Sequence, residues 1–154
     1  MKILVVYDTG SANRNTERVA EAMSEVLKEK GFNVDCSYVK DVDTASVKNY
    51  DFVLAGGPTQ WLKATGPVTQ FLERFAEDEF SGKLAAAFDT QLQLPLSGNA
   101  AKGIEKKLRK LGFKTVMPPL VTYVEGKMNE MRLKEGEIEK AKKYAEDLAN
   151  KLRQ

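Results

Sequence analysis

No histidine occurs anywhere in the 154 residues of this chain. That absence removes Ser-His nucleophile pairs, imidazole metal ligands and the usual general acid–base side chain. A single cysteine, Cys36, leaves no intramolecular disulfide and suits a reducing compartment. It shares one strand face with Val34 and Tyr38, and so reads as a small core side chain rather than a redox thiol. No apolar run approaches the roughly 18 residues of a membrane span. Met1 leads directly into the first strand without a secretory signal, so a cytoplasmic protein that does not engage a membrane is expected. Carboxylates do not gather at metal-ligand spacing, and no Gly-Lys-Ser/Thr follows the first apolar run, which excludes a P-loop. The net charge of +2 creates no demand for nucleic acid. A chain this poor in reactive side chains is expected to borrow its chemistry.

What the chain does contain is a regular alternation of strand and helix patterns, with no linker or low-complexity stretch, as fits one domain over 1–154. Ile3 to Val6 form a short apolar run typical of a buried parallel strand. Val19, Ala22, Met23, Val26 and Leu27 follow at helical spacing and stop at Gly31. Phe32 to Val39 read as a second strand, Thr44 to Lys48 as a weak helix and Tyr50 to Ala55 as a third strand. Pro67 opens a helix carrying Val68, Phe71, Leu72 and Phe75. A fourth strand spans Lys83 to Phe88, and Ser97 caps a helix with Ala101, Ile104, Leu108 and Leu111 inside. The fifth strand lies within Phe113 to Val124, interrupted by Pro118-Pro119. A last helix from about Glu135 buries Ile138, Ala141, Ala145, Leu148 and Leu152. The expected fold is therefore α/β: a doubly wound, five-stranded parallel sheet with helices on both faces.

In such a sheet ligands bind beyond the carboxyl ends of the strands, where strand order reverses. Three loops of binding-type residues meet there: Asp8 to Asn15, Gly56 to Gly66, and Asp89 to Ser97. The first joins a strand to a helix, so backbone amides and the positive helix end converge, with hydroxyls at Thr9, Ser11 and Thr16 as further donors. A phosphate ester is the natural occupant. An ordinary strand-to-helix turn capped by Asn15 is the plainer alternative, yet such connections need only about 2–6 residues. Arg14 either faces the phosphate as a counter-charge or lies in solvent, and solvent is expected, because neutral donors suffice for a phosphate. A receiver domain also has this architecture, but Gly56 and Gly57 stand where its phosphoacceptor aspartate belongs.

With Asn15-Thr16-Glu17 ending the first loop, Gly56-Gly57-Pro58-Thr59 after the third strand and Phe88-Asp89-Thr90 after the fourth, the chain resembles the flavodoxin-like family over essentially its whole length. The resemblance implies strand order 2-1-3-4-5 and a noncovalent FMN, its phosphate in the first loop and its isoalloxazine between the other two. Carried onto this chain, the cofactor-binding set is Thr9, Gly10, Ser11, Asn13, Asn15, Thr16, Pro58, Thr59, Gln60, Trp61, Asp89, Thr90, Gln91 and Gly98. Trp61 either buries its indole against the domain core or stacks on one flavin face, and stacking is expected because Gln60 and Lys63 mark a surface loop. Asp89 and Thr90 are placed for the ribityl chain or pyrimidine edge, or else Asp89 caps a turn. Leu92, Leu94 and Leu96 would make the opposite wall apolar, softened if Gln91 and Gln93 turn their amides to the ring. Thr9 to Thr16 is two residues longer than the Thr/Ser-x-Thr-Gly-x-Thr loop of short-chain carriers, nearer in length to the loop of NAD(P)H-dependent FMN reductases but without its Pro-Arg pair.

The function expected is electron transfer between redox partner proteins. An NAD(P)H-dependent FMN or quinone reductase is the alternative, and a flavin-free binding module the third possibility. Lys102, Lys106, Lys107, Arg109, Lys110 and Lys114 read as a solvated helix face rather than a nucleic-acid surface. Glu73, Glu77, Asp78 and Glu79 form an acidic counterpart, either a contact for a basic partner or solubilising surface.

Overall fold

The first apolar run forms β1 (Lys2–Tyr7) in the computed structural model, which describes residues 1–10, 13–60, 63–95, 98–127 and 129–154 (backbone only at Lys63). Every residue from Ile3 to Tyr7 is buried, because helices cover both faces of the strand. α1 (Asn15–Glu29) returns the chain to β2 (Asn33–Tyr38), ending where Gly31 adopts φ +96°, a backbone conformation only glycine enters freely. Two 3-10 turns, the second at Thr44–Asn49 where a weak helix is expected, lead to β3 (Phe52–Gln60). β4 (Lys63–Ala64), α2 (Gly66–Glu73), β5 (Leu84–Leu92), α3 (Ala100–Lys110) and β6 (Lys114–Thr115) follow. β7 (Leu120–Glu125), β8 (Arg132–Leu133) and α4 (Glu137–Leu152) complete the chain.

The long strands run parallel in the order β2-β1-β3-β5-β7, the doubly wound arrangement expected. The sheet is not wholly parallel, since β8 pairs antiparallel with β7, and β4 with β3. α1 and α4 cover one face, where Val19, Met23, Leu27, Ala145 and Leu148 meet Ile3, Val5, Phe52 and Leu54. α2 and α3 cover the other, with Val68, Phe71, Ile104 and Leu108 against Leu4, Val6, Val53 and Ala87. Cys36 is half-buried against the first of these layers, as a core side chain.

Several boundaries differ from expectation for local reasons. The third and fourth strands run past Ala55 and Phe88 because they keep pairing, Gly57 with Asp89 and Pro58 with Thr90. The Gly56 carbonyl accepts from the Asp8 amide at 3.1 Å on the β1 side. Two residues on, Pro58 faces the same side beyond the end of β1, where its missing N–H costs no ladder bond. Ser97 lies outside the described residues, and α3 is capped by Asn99, whose side chain accepts from the Lys102 amide at 3.0 Å. Pro118-Pro119 splits the fifth strand into β6 and β7, both paired with β5. α4 starts two residues later than expected, after Gly136 at φ +86°.

Candidate functional site

β1 and β3 are the pair at which strand order reverses, and the loop after β1 opens into α1 beside the end of β3. α1 begins after Arg14, which has left-handed φ and ψ (50° and 48°) and makes no side-chain cap bond. Asn15 is the first helical residue rather than a cap, which corrects the turn alternative. Among the described residues, no side chain accepts from the amides of Thr16 or Glu17. The Thr9 hydroxyl is buried without a hydrogen-bond partner, although a buried hydroxyl ordinarily finds one. Gly10 runs close beneath the end of β3, where a Cβ would lie 3.0 Å from Gln60 Nε2. Thr16 is 1% exposed, and its hydroxyl lies 2.8 Å from that of Thr90. Two hydroxyls bring two protons and this bond uses one, so the pair keeps a donor.

At this end the charged Arg14 and Glu17 line one cavity with Tyr7 and Thr9 and are engaged with one another. Tyr7 donates to Glu17 Oε1 at 2.6 Å, and Arg14 reaches Glu17 Oε2 at 3.4 Å. The acid of the first turn is thereby hydrogen-bonded and ion-paired, while the Arg14 side chain stays 70% exposed, in solvent as expected. Burial and the Glu17 carboxylate push the Tyr7 hydroxyl well above the usual phenol range, so it remains a donor.

The start of α3 is organised differently. The Ala100 amide donates to Thr59 Oγ1 at 2.9 Å and the Ala101 amide to Asp89 Oδ2 at 3.2 Å. Thr59 and Gln91 donate to the same carboxylate oxygen at 3.0 and 2.8 Å, and Thr122 donates to the Asp89 carbonyl at 2.7 Å. Asp89 is 0% exposed, its Oδ1 unpartnered. Burial raises its carboxyl above the ordinary 3.8, against four hydrogen bonds that favour the charge. The side chain thus faces inward to anchor a helix start, nearer the capping alternative than a surface contact. Gln91 is buried with its amide on Asp89, and Gln93 accepts from Lys134 at 2.7 Å.

The structure brings Thr9, Gly10, Asn15, Thr16, Pro58, Thr59, Asp89 and Thr90 to one end of the sheet, with Gln60 exposed at the tip of β3 and Gly98 at φ +81° before α3. Asn13 and Asn15 donate their amides to the Met131 carbonyl at 2.7 and 2.9 Å, tying the loop to the segment before β8. Ser11, Trp61 and Leu96 lie outside the described residues, and Leu94 is 59% exposed. Sequence reasoning missed the Met131 carbonyl, since a backbone acceptor has no side-chain signature. It also missed Thr65, which donates to the buried carboxylate of Asp8; a hydroxyl before a glycine-proline helix start was the available hint.

Gly56 and Gly57 leave no room for a side chain: a Cβ would meet the Phe88 ring at 2.4 Å and Val68 Cγ2 at 2.8 Å. These residues fit an FMN: a helix start whose Thr16 and Glu17 amides meet no side chain among the described residues, an unpartnered buried hydroxyl and a spare hydroxyl proton for the phosphate, beside strand ends packed too closely for side chains. Among the described residues, no group of three or more His, Cys, Asp or Glu could hold a metal ion, and no helix is long and apolar enough to cross a membrane.

Comparison with known proteins agrees with this geometry. A curated flavodoxin of Clostridium saccharobutylicum is 26% identical over 100% of this chain and 99% of its own length. The structure of a flavodoxin from the domain Archaea superposes with a TM-score of 0.80 at 24% identity, covering 100% of both chains. Oxidised Flavodoxin 2 from Bacillus cereus gives 0.83 at 22% identity, over 98% of this chain and 99% of that one. The flavodoxin family model matches residues 5–144, and the chain belongs to the flavodoxin family.

Proposed function

We propose that this protein carries electrons between partner proteins with FMN held across the carboxyl ends of β1, β3 and β5, its phosphate on the start of α1. FMN binding and electron transfer are the business of the family to which the chain belongs. The flavin, when bound, accepts and releases the electrons; the protein supplies the site and its electrostatics. The observation that carries the placement is the Thr9 hydroxyl, buried and unpartnered beside an uncapped helix start. Thr9, Gly10, Ser11 and Thr16 hold the phosphate with neutral donors, which lose little in salt and need no cation. Arg14 restrains Glu17 rather than binding the anion itself.

The ring would be held between the tip of β3, with Pro58 and Gln60 and with Trp61 following, and the end of β5, with Thr90, together with Gly98 before α3. Asp89 stays inside and fixes α3 against both strands. Among the described residues the site presents no imidazole and no exposed carboxylate from β3 or β5, so proton movement is left to backbone and water. That suits an electron carrier.

Adding FMN to the purified FMN-free protein, with Trp61 emission as the readout, tests the placement. Stacking predicts strong quenching at one FMN per chain and a loss of roughly 0.5–1.5 kcal/mol of affinity beyond area in Trp61→Ala. Unchanged emission at saturation would remove Trp61 from the site. Rapid consumption of NADPH by the loaded protein alone would contradict the carrier.

A further inference from the structure

The outer face of α3 is one that folding does not account for. Its exposed residues are Lys102, Gly103, Lys106, Arg109 and Lys110, cations and a glycine without a single acid. The only acid on the helix, Glu105, is half-buried and pairs with Arg109 at 3.4 Å. Lys107, partly buried, pairs with Glu73 at 3.6 Å. Among the described residues Lys102, Lys106 and Lys110 form no ion pair, and their spacing sets them one above another on the helix, where like charges repel. The negative helix end favours Arg109 and Lys110 in the last turn. Lys102 has no such excuse: it stands in the first turn, against the positive end, and no acid shares that turn. The exposed faces of α1 and α4 mix both signs, with Glu21, Glu25 and Lys28 on one and Glu139, Lys142 and Glu146 on the other.

Gly103 is a second, independent cost on the same face. Glycine inside a helix is less favourable than alanine, yet a Cβ built here meets nothing within 4 Å, and the backbone has no need of glycine. Among the described residues nothing asks for glycine here. Both features lie at the end of α3 whose first amides bond Thr59 and Asp89, beside the cofactor site.

We propose that the Lys102–Gly103–Lys106 face of α3 is the docking surface for an acidic redox protein. The lysines meet carboxylates, and Gly103 lets the partner's backbone come close at the end of α3 that borders the proposed cofactor site. The polarity is local, since the whole chain carries a net charge of only +2. Nucleic acid or a membrane surface would draw on the same charge, but neither gains from a position beside the proposed cofactor site. This inference rests on the electron-carrier reading above.

The test uses the FMN-loaded protein with two probes of opposite charge, a strongly acidic plant-type [2Fe–2S] ferredoxin and basic cytochrome c. One electron leaves the reduced ferredoxin cluster and enters the FMN; in the other arm one electron leaves the reduced FMN and enters the cytochrome haem. The ferredoxin rate should fall steeply as salt is raised. Lys102→Glu with Lys106→Glu should lower that rate, and the affinity for labelled ferredoxin measured by anisotropy, by about tenfold or more, with FMN affinity unchanged. The same pair should speed transfer to cytochrome c. Gly103→Gln should raise the thermal midpoint while weakening ferredoxin binding, a combination that a merely structural glycine would not give. A ferredoxin rate indifferent to salt and to the double variant would overturn the docking surface and leave the carrier standing. Tighter binding of duplex DNA or anionic vesicles than of ferredoxin, at about 0.15 M salt, would overturn it too. Exchange with neither protein would instead sink the carrier reading itself.

Discussion

Two helix starts face the same end of the sheet, and they are finished in opposite ways. At α3 the first three amides are all taken: Ala100 by Thr59, Ala101 by Asp89 and Lys102 by Asn99. At α1 the residue before the helix offers no cap, and a buried hydroxyl beside it has no partner. Both ends carry the same positive dipole, so dipole alone does not choose the anion site. What chooses it is whether the protein has already supplied the acceptors. α3 is closed and serves as scaffold; at α1 no described side chain accepts from the Thr16 or Glu17 amides, and the proposed phosphate would be their acceptor.

Substitutions should separate the two ends. Asp89→Ala is the most damaging, because Thr59, Gln91 and the Ala101 amide would all lose their acceptor. Each buried donor left unsatisfied costs roughly 1–3 kcal/mol, so urea unfolding should show a loss of several kcal/mol. Asp89→Asn sharpens this through pH. The raised folded carboxyl value means that the contribution of Asp89 is fully present below the ordinary 3.8 and is lost as pH rises through the folded value. Wild-type stability should therefore fall relative to Asp89→Asn on raising pH across that window, and a difference independent of pH would contradict the buried carboxyl.

Thr59→Val and Thr9→Val make the same chemical change with opposite expectations. Thr59 accepts from Ala100 and donates to Asp89, so its loss should destabilise the FMN-free protein by about 1–3 kcal/mol. The Thr9 hydroxyl bonds nothing among the described residues, so its valine variant should leave the FMN-free protein as stable or more so, yet weaken FMN by about 1.5 kcal/mol, roughly tenfold. Paired urea melts and FMN titrations read both. Arg14→Gly should do least: its pair with Glu17 is solvent-exposed, and FMN affinity should stay within roughly threefold. A large loss there would make the guanidinium a phosphate ligand after all.

Much of this was legible in the residues. Ile3 to Val6, the helical stripes and the two prolines of the fifth strand placed the fold, because period and punctuation are local properties. The three binding loops were legible because small polar residues cluster where strands end. Their internal division was not. Asp89 reads alike whether it meets a ligand or holds three donors inside, and Asn13 and Asn15 give no sign that both amides go to the Met131 carbonyl, more than a hundred positions away. Strand length was misjudged for a related reason. Gly56 to Gln60 carry turn residues, and pairing with β5 and then with β4 keeps them extended. Such choices depend on partners brought in by the fold.

The open helix start is tested most directly by calorimetric titration of the FMN-free protein with FMN and with riboflavin, which differ only in the phosphate. Two charge-assisted hydrogen bonds at about 1.5 kcal/mol each predict FMN binding at least roughly 100-fold tighter, with one site per chain. Equal affinity for the two would mean that α1 receives no phosphate, and that its uncapped start has another purpose.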